Sequence, residues 1–109
     1  MVLDFFRGEL FSGVVGEGAW LNGDEIRVST VEKKEEAVLC TGFPVGGDFS
    51  PEDLSGFVGS FRTYRKTRLL GSAALMLAYV AAGRADVYHE KGIKVWDIAG
   101  GLGVLLGAG

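Results

Sequence analysis

The sequence predicts an α/β fold of mixed α+β character, in which part of an antiparallel sheet is followed by an α/β layer. Two observations carry this. The first thirty of the 109 residues read as short strands joined by tight turns, whereas from Ala37 onward strand-like and helix-like stretches alternate. A third is the glycine content: 18 residues, more than twice the ordinary usage of about 7%. These glycines are spread through the chain rather than repeated, which fits tight turns and close backbone approaches better than a low-complexity segment. The expected organisation is residues 1–36 as hairpins of an antiparallel sheet plus a connector, and residues 37–109 as an α/β lobe, within a single domain.

Val2–Phe6 and Glu9–Val15 alternate as two strands joined at Arg7-Gly8. Ala19–Leu21 and Ile26–Val28 flank Asn22-Gly23-Asp24, whose Asn-Gly pair is a strong turn signal. Val31–Glu36, with Lys33-Lys34-Glu35-Glu36, reads as a solvated charged connector. Ala37–Thr41 is an apolar strand that breaks at Gly42-Phe43-Pro44. Ser50 then caps a helix, with Pro51 at its first position and Glu52 and Asp53 in its first turn. Leu54, Phe57, Val58 and Phe61 recur on one face of that helix, and Arg62, Arg65, Lys66 and Arg68 crowd its far end as ordinary helix-terminal cations. Thr67–Leu70 is a short strand, Ser72 caps the next helix and Gly83 ends it. Ala85–His89 is the next strand. Asp97 opens a last apolar helix through about Leu106, on which Gly100, Gly101, Gly103 and Gly107 lie. Each of these glycines weakens an isolated helix by about 1 kcal/mol relative to alanine, so this helix needs tight packing against a neighbour.

Composition narrows the function classes. Hydrophobic residues make up 48% and charged residues 23%, as in a folded globular protein. A net charge of −3 offers no general basic field for nucleic acid or anionic lipid. Cys40 is the single cysteine, so no internal disulfide forms, and within its apolar strand it reads as a buried small hydrophobe. No apolar run reaches the roughly 20 residues of a membrane span, and MVLDFF lacks the features of a secretory signal. A cytoplasmic protein is expected, with His89 as a partly exposed strand residue rather than a general base.

The chemistry concentrates in Leu70–Gly101. Gly71-Ser72-Ala73 opens a helix whose first N–H groups have no intrahelical partner and can meet hydroxyl or anionic groups. Glu90 follows a strand, and Asp97 stands at a helix start where its carboxylate can cap the helix and still present an oxygen to a cation. Should the strand and the two helix starts converge, backbone N–H groups and two carboxylates face one cleft suited to a cation and a polar, phosphorylated ligand.

In combination these residues closely resemble the signature of the inositol monophosphatase family. Gly71-Ser72-Ala73, Ala82-Gly83-Arg84-Ala85-Asp86, Glu90 and Trp96-Asp97-Ile98-Ala99-Gly100 stand at that family's motif positions, and Gly16–Ser29 resembles its Gly-x-Gly-Ala-x-x-Asn-Gly-x-x-Ile-x-Val-Ser hairpin. The resemblance implies part of an α-β-α-β-α sugar phosphatase fold and a Mg²⁺-dependent phosphomonoesterase for inositol monophosphate or a related sugar phosphate. It implies Asp97 as a metal ligand, Glu90 as the acceptor of substrate hydroxyls, and Gly71, Ser72 and Ala73 as the pocket wall. The family's Glu-Glu pair and Asp-x-Ile/Leu-Asp-Gly-Thr segment have no counterpart here. Asp24, Asp48 and Glu35-Glu36 lack the required context, so the Mg²⁺ site is incomplete and no catalytic residue beyond the metal ligand is expected. The same resemblance implies a small phosphorylated polyol or sugar as partner, no nucleic acid or membrane, and a homodimer. The unpaired edge at Val2–Phe6 also favours self-association. Two other readings stay open: an inactive α/β fragment serving association or substrate binding, and a fructose-bisphosphate or nucleotide-phosphate phosphatase of the same superfamily.

Overall fold

A computed structural model describes residues 1–43 and 50–109. Pro44 and Asp48 lie outside the described residues. The first quarter of the chain is an antiparallel meander of β1 (Val2–Asp4), β2 (Glu9–Val14), β3 (Gly18–Leu21) and β4 (Asp24–Glu25), ordered as in the sequence. Its registers pair Val2 with Phe11, Phe11 with Leu21, and Trp20 with Glu25.

Two turns differ from expectation. The first spans Phe5–Gly8 rather than Arg7-Gly8 alone. The Asp4 carboxylate accepts the Arg7 N–H at 3.2 Å and Gly8 takes φ +65°, so the chain reverses two residues early. Phe5 and Phe6 therefore sit on the turn, and Phe6 is 95% exposed. The second turn has Asn22 and Gly23 at φ +50° and +88°, the signature of a two-residue I′ hairpin. The Asn22 side chain accepts the Leu10 N–H at 2.8 Å and donates to the Gly8 carbonyl at 3.2 Å, tying this turn to the start of β2. Because the I′ turn is so tight, β4 resumes at Asp24 instead of at Ile26. Ile26 still donates to the Ala19 carbonyl at 2.9 Å, and the chain then leaves the sheet.

The connector at residues 31–36 is exposed throughout and carries a 3₁₀ turn at Lys34–Glu36. Beyond it, β5 (Val38–Cys40), α1 (Pro51–Thr63), β6 (Lys66–Arg68), α2 (Ala73–Ala81), β7 (Val87–Tyr88) and α3 (Val95–Ala108) follow. The three strands form a parallel sheet in the order β6-β5-β7, with Leu39 facing Thr67 on one side and Val87 on the other. Helices α1 and α2 are thus the crossovers of two successive parallel-strand units. Ser50 caps α1 by accepting the Asp53 N–H, and Ser72 caps α2 by accepting the Leu75 N–H, each at 3.2 Å.

Helices α2 and α3 lie between the two sheets. Phe11, Ala19, Ala78, Ala81 and Val104 form the core on the antiparallel side, while Cys40, Met76, Val80 and Ala85 form it on the parallel side. The tight packing expected of the glycine-rich helix is present. A Cβ on Gly101 would stand 2.8 Å from the Leu77 Cβ, and one on Gly107 would collide with the Gly18 carbonyl. On the opposite strand, a Cβ on Gly13 would lie 2.6 Å from the Val104 Cα. The mixed α+β architecture, an antiparallel sheet followed by an α/β layer, is the one the sequence predicts.

Candidate functional site

The parallel registers align the carboxyl ends of β5, β6 and β7, and ligand crevices of open α/β sheets form at such ends. Three chain segments leave there: Thr41–Phe43 after β5, Leu69–Ser72 after β6, and His89–Glu90 after β7. Together with the first turn of α3 they enclose a cleft of ≈ 590 Å³. Gly71, Ser72, Ala73, Glu90 and Asp97, the five residues singled out from the sequence, all line it. Gly42, Phe43, Ala74, Met76, Ile93 and Trp96 complete the lining.

Each position has a local cause. Gly71 takes φ +78°, a left-handed conformation that turns the chain from β6 into α2. The Ser72 hydroxyl satisfies only the Leu75 N–H, so the N–H groups of Ala73 and Ala74 in the first helical turn have no intrahelical acceptor. Glu90 lies two residues beyond β7 rather than on it. Its neighbour His89 is clamped to β5: the His89 N–H donates to the Cys40 carbonyl at 3.1 Å, and the Thr41 hydroxyl donates to the His89 carbonyl at 2.5 Å. Thr41 is 3% exposed, so this bond also satisfies a buried hydroxyl. His89 itself is exposed.

Asp97 departs from the expected helix-opening position. It is the third residue of α3, whose N-cap is Lys94, and its Oδ2 reaches back to the Lys94 N–H at 3.4 Å. This is one half of a capping box; the other half is absent because the Lys94 ammonium has no acceptor, so the spacing does not match the Ser/Thr-x-x-Glu/Gln signature. Oδ1 of Asp97 takes part in no hydrogen bond among the described residues, and the side chain is exposed at the cleft. Trp96 beside it is 77% exposed.

Three neighbours of the cleft were not singled out from the sequence. Gly42 lies under the Glu90 carboxyl, where a Cβ would stand 3.1 Å from the carboxyl carbon. The Tyr88 hydroxyl donates to Glu90 Oε1 at 3.0 Å. Burial raises the Tyr88 pKa, and the hydrogen bond to Glu90 and the charges of Glu90 and Asp97 raise it further, so the phenol keeps its proton across the neutral range. Thr41 is the third. All three become visible only once Cys40 is known to face Tyr88 across the parallel register. Cys40 itself is 1% exposed, and burial pushes its thiol pKa up. Arg68 is exposed on β6, its guanidinium donating to the Thr67 carbonyl at 3.1 Å, and it does not line the cleft.

The donor set can be tested against a divalent cation. Asp97 offers a hard, exposed carboxylate oxygen of the kind Mg²⁺ takes. Among the described residues, however, no three His, Cys, Asp or Glu side chains come together. The described residues therefore fit a metal as the donor of one ligand and do not complete a metal site among themselves. No helix among the described residues is long and apolar enough to cross a membrane.

Comparison with known proteins agrees with this fold. The Nus factor SuhB of Escherichia coli (strain K12) is 43% identical over 102 residues, covering 93% of this chain and 38% of that protein. The inositol monophosphatase of Anabaena (Nostoc) sp. PCC 7120 superposes with a TM-score of 0.90 at 39% identity, over 98% of this chain and 43% of its own. The inositol monophosphate-bound SaIMPase-II superposes with a TM-score of 0.83 at 27% identity, over 98% of this chain and 41% of its own, and that enzyme, from Staphylococcus aureus, also has a 2'AMP-bound structure. The chain thus spans about two-fifths of the length of these relatives. The match to the family as a whole runs over residues 1–109, and the chain belongs to the inositol monophosphatase family.

Proposed function

We propose that this chain supplies the substrate-side wall of a Mg²⁺-dependent phosphomonoesterase acting on inositol monophosphate or a related sugar phosphate. One observation carries the reading: Gly71, Ser72, Ala73, Glu90 and Asp97 line a single cleft at the carboxyl ends of the parallel strands. In this reading the α2 N-terminus and Glu90 hold the polyol hydroxyls, and Asp97 gives one carboxylate to the metal. Asp97 would hold Mg²⁺ only together with further ligands, and a metal so held would supply activation of a water and neutralisation of the phosphate charge. The inositol monophosphate-bound relative supports the substrate class, and its 2'AMP-bound form keeps a nucleotide phosphate as the runner-up. A cytoplasmic protein that self-associates completes the proposal.

Isotope-labelled chain titrated with Mn²⁺ and with inositol monophosphate tests it. Mn²⁺ is expected to broaden amides around Asp97, and Asp97→Asn to abolish that broadening. Inositol monophosphate is expected to shift the amides of residues 71–74 and 90, and Glu90→Gln to weaken the shifts. The 109-residue chain alone is expected to hydrolyse no phosphate ester measurably with Mg²⁺. Undisturbed cleft amides, or broadening that survives Asp97→Asn, would sink the reading.

A further inference from the structure

The Glu90 carboxylate is set in one place by contacts that lie outside the residues proposed to hold substrate. A glutamate has three free side-chain torsions, and a strand-end glutamate facing solvent samples many rotamers. Here the carboxyl lies over the Gly42 backbone, and the Tyr88 phenol grips its Oε1 at 3.0 Å. Oε2 makes no hydrogen bond among the described residues. The phenol is itself immobilised, because Tyr88 packs on the Cys40, Met76, Val80 and Ala85 cluster, and its backbone pairs with Cys40 on β5. Residues 88 and 90 are two apart in an extended chain, so their side chains share a face. The backbone between them is pinned by the Thr41 hydroxyl on the His89 carbonyl.

We propose that Tyr88 is a positioning residue: its phenol fixes the Glu90 carboxylate over Gly42, leaving Oε2 to accept a hydroxyl of the bound polyol. This rests on Glu90 being the hydroxyl acceptor proposed above. The advantage is preorganisation, since the rotamers of Glu90 are restricted before ligand arrives and that ordering is not repeated on binding. A protonated phenol is required throughout, which the raised Tyr88 pKa provides.

The 109-residue chain carrying Tyr88→Phe tests this, because the variant keeps the ring in the core and removes only the hydroxyl. In the unsubstituted chain, nuclear Overhauser contacts are expected between the Glu90 side chain and the Gly42 α-protons. In Tyr88→Phe these contacts are expected to vanish while the melting temperature and amide dispersion stay close to the original. The dissociation constant for inositol monophosphate is expected to rise about tenfold, the scale of one hydrogen bond to a charged group. In a Glu90→Ala background, which removes the phenol's acceptor, removing the Tyr88 hydroxyl should add much less than tenfold, which a merely structural role would not produce. Gly42→Ala is the second variant: it leaves Tyr88 intact, crowds the carboxyl's seat, and should weaken binding in the same direction. Intact Glu90–Gly42 contacts and unchanged affinity in Tyr88→Phe would overturn the proposal. If the unsubstituted chain binds no inositol monophosphate at all, the substrate reading of the cleft fails, while the Overhauser comparison still decides whether Tyr88 positions Glu90.

Discussion

Arg84 closes the α2 end of the helix layer onto the antiparallel sheet through a two-pronged pair with Glu9, with Nη1–Oε1 at 2.8 Å and Nη2–Oε2 at 2.5 Å. Its guanidinium also lies 4.9 Å from the Tyr79 ring centroid and 5.6 Å from that of Phe11. The hydrogen bond from Arg84 holds the Glu9 carboxyl below its ordinary value of 4.5. The folded chain therefore binds this proton less readily than the unfolded chain. The stabilisation is present above the ordinary glutamate range and is lost as the pH falls through the lower folded value. Glu9→Gln should lower the urea midpoint at pH 7 and leave it nearly unchanged at a pH below that range. An equal deficit at both pH values would show that the pair acts through shape rather than charge. Arg84 stood in the sequence within the Ala-Gly-x-Ala-Asp stretch, yet its partner, 75 residues away, could not be read from any local pattern. The same holds for Asp86, whose carboxylate takes the Ser29 hydroxyl and the Val38 N–H at 2.7 Å. By contrast Ser50, Ser72 and Gly83 are legible one residue at a time, because capping is decided within a single helical turn.

At the scale of elements, α3 separates what a pattern can tell from what only packing decides. Its apolar, glycine-rich run correctly implies close neighbours, but four helical glycines look alike in the sequence. In the fold they differ. Gly101 faces Leu77 and the Ala74 carbonyl, where a Cβ would sit at 2.8 and 3.1 Å, whereas a Cβ on Gly103 would meet nothing within 4 Å. Gly101→Ala should therefore destabilise the chain by about 1–3 kcal/mol through overpacking of α2 against α3. Gly103→Ala should stabilise it by about 0.5–1 kcal/mol, because alanine restricts the unfolded chain and the added methyl meets no obstacle. Denaturant unfolding of the two variants checks this, and a loss at both positions would refute the distinction. Strand boundaries were less legible for a related reason. β1 ends at Asp4 and β4 starts at Asp24 because side-chain and φ-positive turn geometry sets where the ladder begins and stops, and hydrophobic alternation is blind to both.

For the whole molecule, the order of layers explains both the cleft and the surface left open. Residue types alone suggested that Ser72, Glu90 and Asp97 serve one site, but their convergence depends on β5 pairing in parallel with both β6 and β7. That pairing joins segments about 30 and 50 residues apart, and no local pattern specifies it. The antiparallel sheet buries Val2, Phe11 and Ala19 against α2 and α3. The alternate residues of the same strands point to the other face, where Leu3, cross-strand from Leu10, is 60% exposed and Val14 is also exposed. β1 pairs only with β2, so its outer edge carries backbone groups without a strand partner among the described residues. Such an edge beside an apolar face favours pairing between chains. Sedimentation velocity of the 109-residue chain should accordingly show a sedimentation coefficient that rises with concentration. The double substitution Leu3→Lys and Leu10→Lys places like charges opposite each other on that face and should flatten the rise. Because the cleft lies across the helix layer at the parallel sheet, its amide shifts should not change in this variant. Association that survives the two lysines would move the contact to another surface, with the exposed Leu54–Val58–Phe61 face of α1 the next to substitute.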